Sequence, residues 1–190
     1  MREFTGSKAS QTVKALILEL LGIFCENFPQ YMVDKSKHIL LIIMDSLHKQ
    51  FKSKKPDMQI IAGAFKGLRS FLVNFSSELS SDNKSIASVY QYLCLTLEPP
   101  PHLVRYNIPK AGLKFLATHA ELLREYLTED SERMYARVIV FCKHQNSGVR
   151  SAAFPALDAF FTKVSAELVK GARSQVADQD TFKVSKISLK

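Results

Sequence analysis

The stretch Val149-Arg150-Ser151-Ala152-Ala153-Phe154-Pro155-Ala156-Leu157 reads V-R-x-x-A-x-x-A-L. At helical spacing Val149, Ala152, Ala153, Ala156 and Leu157 fall on one face. The alanines let a neighbouring helix approach closely, and Val149 and Leu157 close the stripe with apolar bulk. Arg150 lies beside the stripe, where its long side chain can reach the adjoining turn. Pro155 lacks an N–H and is predicted to kink this helix.

Related patterns recur upstream. Val13-Lys14 precedes Leu20-Leu21 and Phe24, Ile60 precedes Gly67-Leu68 and Phe71, and Gly112-Leu113 is followed by Leu116. With Leu21, Leu68, Leu113 and Leu157 as equivalents, the step is 44 to 47 residues. A small residue precedes each of these leucines except Leu21, where Leu20 stands instead. A fixed period in this range, with helix and turn alternating, is the signature of HEAT repeats. The expected fold is therefore all-α, a HEAT-type solenoid of antiparallel helical hairpins. An ordinary all-α bundle with chance spacing is the competing reading.

Helices are predicted at about Gln11–Glu26, Val33–Phe51, Pro56–Phe75, Lys84–Leu97, Pro109–Tyr126, Ser131–Lys143 and Val149–Val169, separated by breakers. In the second, Leu40, Ile43, Met44, Leu47 and Phe51 form the apolar stripe, and Asp45 and Lys49 can pair at i, i+4. In the third the stripe is Ile61, Ala64, Phe65, Leu68, Leu72 and Phe75. Gly63 and Gly67 lie one turn apart there, each costing nearly 1 kcal/mol against alanine, which close approach of a neighbouring helix would offset. Pro56 sits near the first turn, Ser76–Asn83 reads as a polar turn, and Pro99-Pro100-Pro101 ends the fourth helix. Thr128 is a candidate cap for the sixth helix, and Asn146-Ser147-Gly148 a turn and cap for the seventh. The phase of the repeats assigns residues 11–170 to one lone second helix followed by three hairpins. Residues 1–10 and the polar tail 171–190 are expected to be disordered.

Composition agrees with a folded chain: 46% hydrophobic, 23% charged, with seven glycines and seven prolines among 190 residues, few enough to leave long helices uninterrupted. The formal charge of +8 suits nucleic acid, anionic membrane or acidic protein partners. Cys25, Cys94 and Cys142 are too few and too widely spaced for a disulfide framework or a zinc site, and read as buried thiols of an intracellular protein. The amino-terminal residues lack the apolar core of a signal peptide. The apolar run Ile39–Met44 is far too short to cross a bilayer, so no membrane partner is expected.

Three blocks carry a closer resemblance: Ala62 through Phe75, Arg105 through Leu113 with Ala117, His119 and Ala120, and Ala152 through Ser165. In order and spacing they resemble the N-terminal HEAT region of DNA-dependent protein kinase catalytic subunits, within the PI3K-related kinase family, over about residues 12–170. That resemblance implies a segment of a very large nuclear serine/threonine kinase of non-homologous end joining. Its N-terminal repeats are expected to help cradle a double-stranded DNA end delivered by the Ku heterodimer. The kinase domain would lie far downstream. After Lys170 the tail is expected to depart from the family, which would make the chain a fragment. An array cut there would expose the apolar face of its last helix and leave the chain marginally stable or self-associating.

No catalytic constellation is visible: no glycine-rich phosphate loop, no H-R-D, D-F-G, G-x-S-x-G or H-E-x-x-H. No cofactor and no metal are implied. The five histidines, His38, His48, His102, His119 and His144, are scattered, and His119 reads as packed or capping rather than ligating. The best functional candidates are basic. Lys49, Lys52, Lys54 and Lys55 lie at the end of one helix and in the following connector. Lys66 and Arg69 lie on the polar side of the next, and Lys110 and Lys114 sit one turn apart on the fifth. Phosphate binding needs such point charges along a surface and no base-reading code. Charge runs are equally common on solvated faces. Three functions therefore compete: a scaffold for DNA ends and Ku, a HEAT adaptor that grips an acidic or helical protein without DNA, and, least favoured, a small enzyme.

Overall fold

The computed structural model describes residues 10–98 and 106–164. Among them every regular element is helical. In chain order these are α1 (Gln11–Asn27), α2 (Pro29–Met32), a 3-10 turn (Val33–Lys35), α3 (Ser36–Lys52), α4 (Met58–Ser80), α5 (Asn83–Leu97), α6 (Asn107–His119), α7 (Arg124–Glu129), α8 (Ser131–Ile139), a second 3-10 turn (Val140–Lys143) and α9 (Ser147–Lys163). The expectations for residues 1–9, for the Pro99-Pro100-Pro101 stop and for the tail from residue 165 onward lie outside the described residues.

The helices stack in two rows. α1, α4, α6 and α9 pack one after another, and α3, α5 and the α8 segment lie against them, each beside the helix that follows it. Phe51 of α3 stacks on Tyr92 of α5 at 4.7 Å between ring centroids, and His48 Nδ1 meets the Tyr92 hydroxyl at 2.7 Å. These contacts tie one outer helix to the next. Between the rows the core is continuous. Phe65, Phe71, Phe115 and Phe141 are essentially inaccessible to solvent, and burying each contributes about 1.5–3 kcal/mol. Phe65 and Phe115 meet edge to face across α4 and α6, with centroids 5.5 Å apart.

The tightest joint is between α1 and α4. Gly22, Gly63 and Gly67 bring the two backbones together: a Cβ on Gly63 would lie 2.5 Å from the Ala15 carbonyl oxygen, and one on Gly67 would collide with that of Leu18. This is the close approach that offsets the helix cost of Gly63 and Gly67. Asn74 fastens the far end of the joint, its amide donating to the Cys25 and Glu26 carbonyls at 3.0 and 2.9 Å, where α1 runs out of intrahelical donors.

Several local expectations need correction. α4 does not stop at Phe75. That residue leaves helical geometry (φ −123°, ψ 34°), and the chain resumes as helix to Ser80 because Leu79 must still reach the core. α6 ends at His119 rather than near Tyr126, since Ala120 and Leu123 turn inward and the chain restarts as α7. Val33–Lys35 is a 3-10 turn, so α3 opens at Ser36. Pro56 lies outside α4. Asp57 is the cap, its carboxylate accepting from the Gln59 and Ile60 amides. Thr128 caps nothing and bonds back to the Arg124 carbonyl. Asp130 stands at the α8 entry, its carboxylate bound by Tyr90 and Arg137. α9 runs unbroken through Pro155, with Asn146 accepting from the Val149 amide. Arg150 does reach the adjoining turn, donating to the His144 and Gln145 carbonyls at 2.7 and 2.8 Å.

Candidate nucleic-acid interface

The eight basic positions divide into two groups. Lys49 and Lys52 close α3, whose final turn is a favourable place for cations. Lys54 and Lys55 follow in the connector, and all four side chains are exposed. Lys49 is paired with Asp45 at 2.6 Å, as its spacing predicts, but both partners face water, where such pairs contribute little.

Lys66, Arg69, Lys110 and Lys114 behave differently. α4 presents Lys66 and Arg69 one turn apart, and α6 presents Lys110 and Lys114 one turn apart. Because α4 and α6 are neighbours in the inner row, the four line one groove of about 290 Å³, together with Glu19, Asn107 and Ala111. Burial, and then the positive charges of Lys110, Arg69 and Lys66, hold the Lys114 ammonium below its usual pKa. The part of that shift due to the neighbouring cations is one that a bound anion relieves. Lys110 extends over the first turn of α9, where a Cβ on Gly148 would lie 3.0 Å from its Nζ. A helix start is the end where a cation is least favourable.

His119 fixes the spacing of the groove's two walls. Its Nε2 lies 2.8 Å from the Arg69 carbonyl oxygen, joining the end of α6 to α4. The ring nitrogen donates there. Burial lowers the imidazole pKa, partly countered by this bond. His119 is thus a packed histidine that positions Arg69. Nearby chemistry is otherwise quiet. Burial pushes the Cys25 thiol up to about 11 and raises Cys94 and Cys142 as well, so none is poised as a nucleophile. Among the described residues no three His, Cys, Asp or Glu side chains are placed to hold a metal, and no helix is long and apolar enough to cross a membrane.

Two polar groove residues carry no basic signal in the sequence and are placed there by the structure: Asn107, at the start of α6, and Glu19, on α1. Glu19 Oε2 lies 2.9 Å from Lys66 Nζ. They are 47 residues apart, one full step of the repeat, as are Thr12 and Gln59, which also bond at 2.7 Å. In a stacked array equivalent positions of adjacent repeats become neighbours, so the repeat register was the signal that could have found Glu19.

The family model described as "DNA-PKcs, N-terminal" matches residues 2–184, past the point where the tail was expected to depart. A DNA-dependent protein kinase catalytic subunit of Dictyostelium discoideum is 42% identical over 182 residues, 95% of this chain. That of Xenopus laevis is 32% identical over 163 residues, 85% of this chain, and that of Mus musculus 29% identical over 161 residues, 84% of it. The chain spans 4% of the length of each of these relatives. With its helical-repeat architecture, this match across nearly all of the sequence places the chain in the family of DNA-PKcs N-terminal regions.

Proposed function

We propose that residues 11–170 form a non-catalytic HEAT-repeat segment of a DNA-dependent protein kinase catalytic subunit. It acts in the nucleus as a scaffold that engages double-stranded DNA ends and the Ku heterodimer during non-homologous end joining, flanked by other repeats of the same parent chain. The observation that carries this reading is the convergence of Lys66, Arg69, Lys110 and Lys114 on one groove between α4 and α6. Such a site binds phosphates without reading bases. The connector lysines, Lys49, Lys52, Lys54 and Lys55, extend the basic surface.

The test is duplex binding by fluorescence anisotropy as a function of salt. The expected outcome is sequence-independent affinity that falls steeply as salt rises. Duplex affinity that does not respond to salt or to charge reversal at Lys110 and Lys114 removes the groove from the reading.

A protein-only adaptor is the second reading, favoured by the exposed apolar stripe Val13, Leu16, Leu20, Ile23 and Phe24 on α1. Salt-insensitive association with a protein partner, together with no duplex binding, would select it.

A further inference from the structure

The groove contains its own competing anion. Four cations and one carboxylate line it, and the carboxylate, Glu19, comes from α1 rather than from either helix that carries the cations. Its Oε2 sits 2.9 Å from Lys66 Nζ, with about 30% of the Glu19 side chain still exposed. Glu19 and Lys66 also line the adjoining cavity, of about 610 Å³, between α1 and the starts of α4 and α6. The pair therefore stands where the two spaces meet. Among the described residues lining the groove, Lys110, Lys114 and Arg69 face no carboxylate other than Glu19, and the Lys114 ammonium is held down first by burial and then by its cationic neighbours.

We propose that Glu19 is an internal gate on this groove: it occupies Lys66, so that an incoming phosphate of duplex DNA meets three available cations, and it must release Lys66 before the fourth engages. This rests on the polyanion reading of the groove. A gate of this kind weakens binding of a lone phosphate and favours a ligand whose neighbouring phosphates compete together for Lys66. It also couples the groove to α1, because the glycine contacts that seat α1 on α4 set the position of Glu19.

The test uses the full 190-residue chain and its Glu19→Gln variant, with Glu26→Gln as an exposed control on the same helix. Glu19→Gln should raise duplex affinity roughly two- to fivefold, the range of a partly exposed ion pair. It should also steepen the log K against log salt slope by about 0.9, one more phosphate contact. Adding Lys66→Met should return the slope to the unsubstituted value. A Glu19→Gln effect no larger than that of Glu26→Gln overturns the gate. Should the Gln variant lose its helical signal, Glu19→Ser repeats the same charge change. If the unsubstituted chain does not bind duplex, the DNA reading fails by itself. Pyrophosphate titration, followed by NMR of ¹³C-dimethylated Lys66 and Lys114, then decides the gate: tighter binding in Glu19→Gln supports it, and unchanged or absent binding overturns it.

Discussion

The two basic regions contain four cations each, and they differ in what the fold does with them. The connector lysines follow one another in sequence and are held by little beyond the end of α3, so their charges point into water and pair locally, as Lys49 does with Asp45. The groove cations lie up to 48 positions apart in sequence, from Lys66 to Lys114, and the stacking of α4 on α6 brings them together. Charge density in a sequence window therefore marks the less organised of the two. Convergence across helices makes cations raise one another's energy, and that mutual strain is what a bound anion releases.

The comparison can be broken most forcefully at the joint that carries α1. Gly67→Ala puts a methyl group into the Leu18 backbone and should cost about 3 kcal/mol in a urea melt, within the range for overpacked interiors. Gly148→Ala, which meets only the flexible end of Lys110 and the Asn146 side chain, should be neutral or stabilising by up to about 1 kcal/mol. Similar losses from both would mean that the α1–α4 contact is looser than described. Next in size is charge reversal of Lys110 and Lys114 together, which should lower duplex affinity by about 50-fold or more at moderate salt and flatten the salt slope by about 2. Asp57→Ala, at the boundary between connector and α4, should cost about 1 kcal/mol through the lost cap, with little change in salt slope. Reversal at Lys52, Lys54 and Lys55 should weaken binding by only about threefold, the effect of long-range charge without organised contacts. An equal or larger loss there would reverse the ranking of the two regions.

The smallest expected effect is a pH dependence. Burial holds the His119 pKa in the folded chain below 6.5. The unfolded chain therefore binds more protons between the two values. The contribution of this ring to stability is full above about pH 6.5 and is lost as pH falls toward the folded value. His119→Gln should lower stability at neutral pH and remove part of the decline between pH 7 and pH 5, as read from thermal midpoints.

Much of the fold was legible because apolar period reports burial directly. The predicted stripe of α4, from Ile61 to Phe75, is buried throughout. Gly63 and Gly67 announced a close neighbour, and Arg150 announced its turn. The failures cluster where a distant partner decides a local question. α6 stops at His119 as the chain turns Ala120 and Leu123 into the core, and His119 there bonds Arg69, 50 residues away. The break at Phe75 and the extra turn to Ser80 follow from where Leu79 packs. Asp130, placed as a cap would be, is claimed by Tyr90 and Arg137. Of the basic candidates, the sequence named all four groove cations but did not separate them from the connector lysines. It also passed over Glu19, because a single glutamate on a polar face has no local signature and acquires one only when the repeats are laid side by side.

The glycine contact between α1 and α4 has a mechanical consequence too. Backbone set against backbone rests near the steep wall of the interatomic potential and contains no side chain to deform, so this joint is stiff. The α4–α6 joint is instead made by side chains, the Phe65 and Phe115 rings and the His119 hydrogen bond, so its two backbones stand farther apart and its spacing is set by the size of the rings.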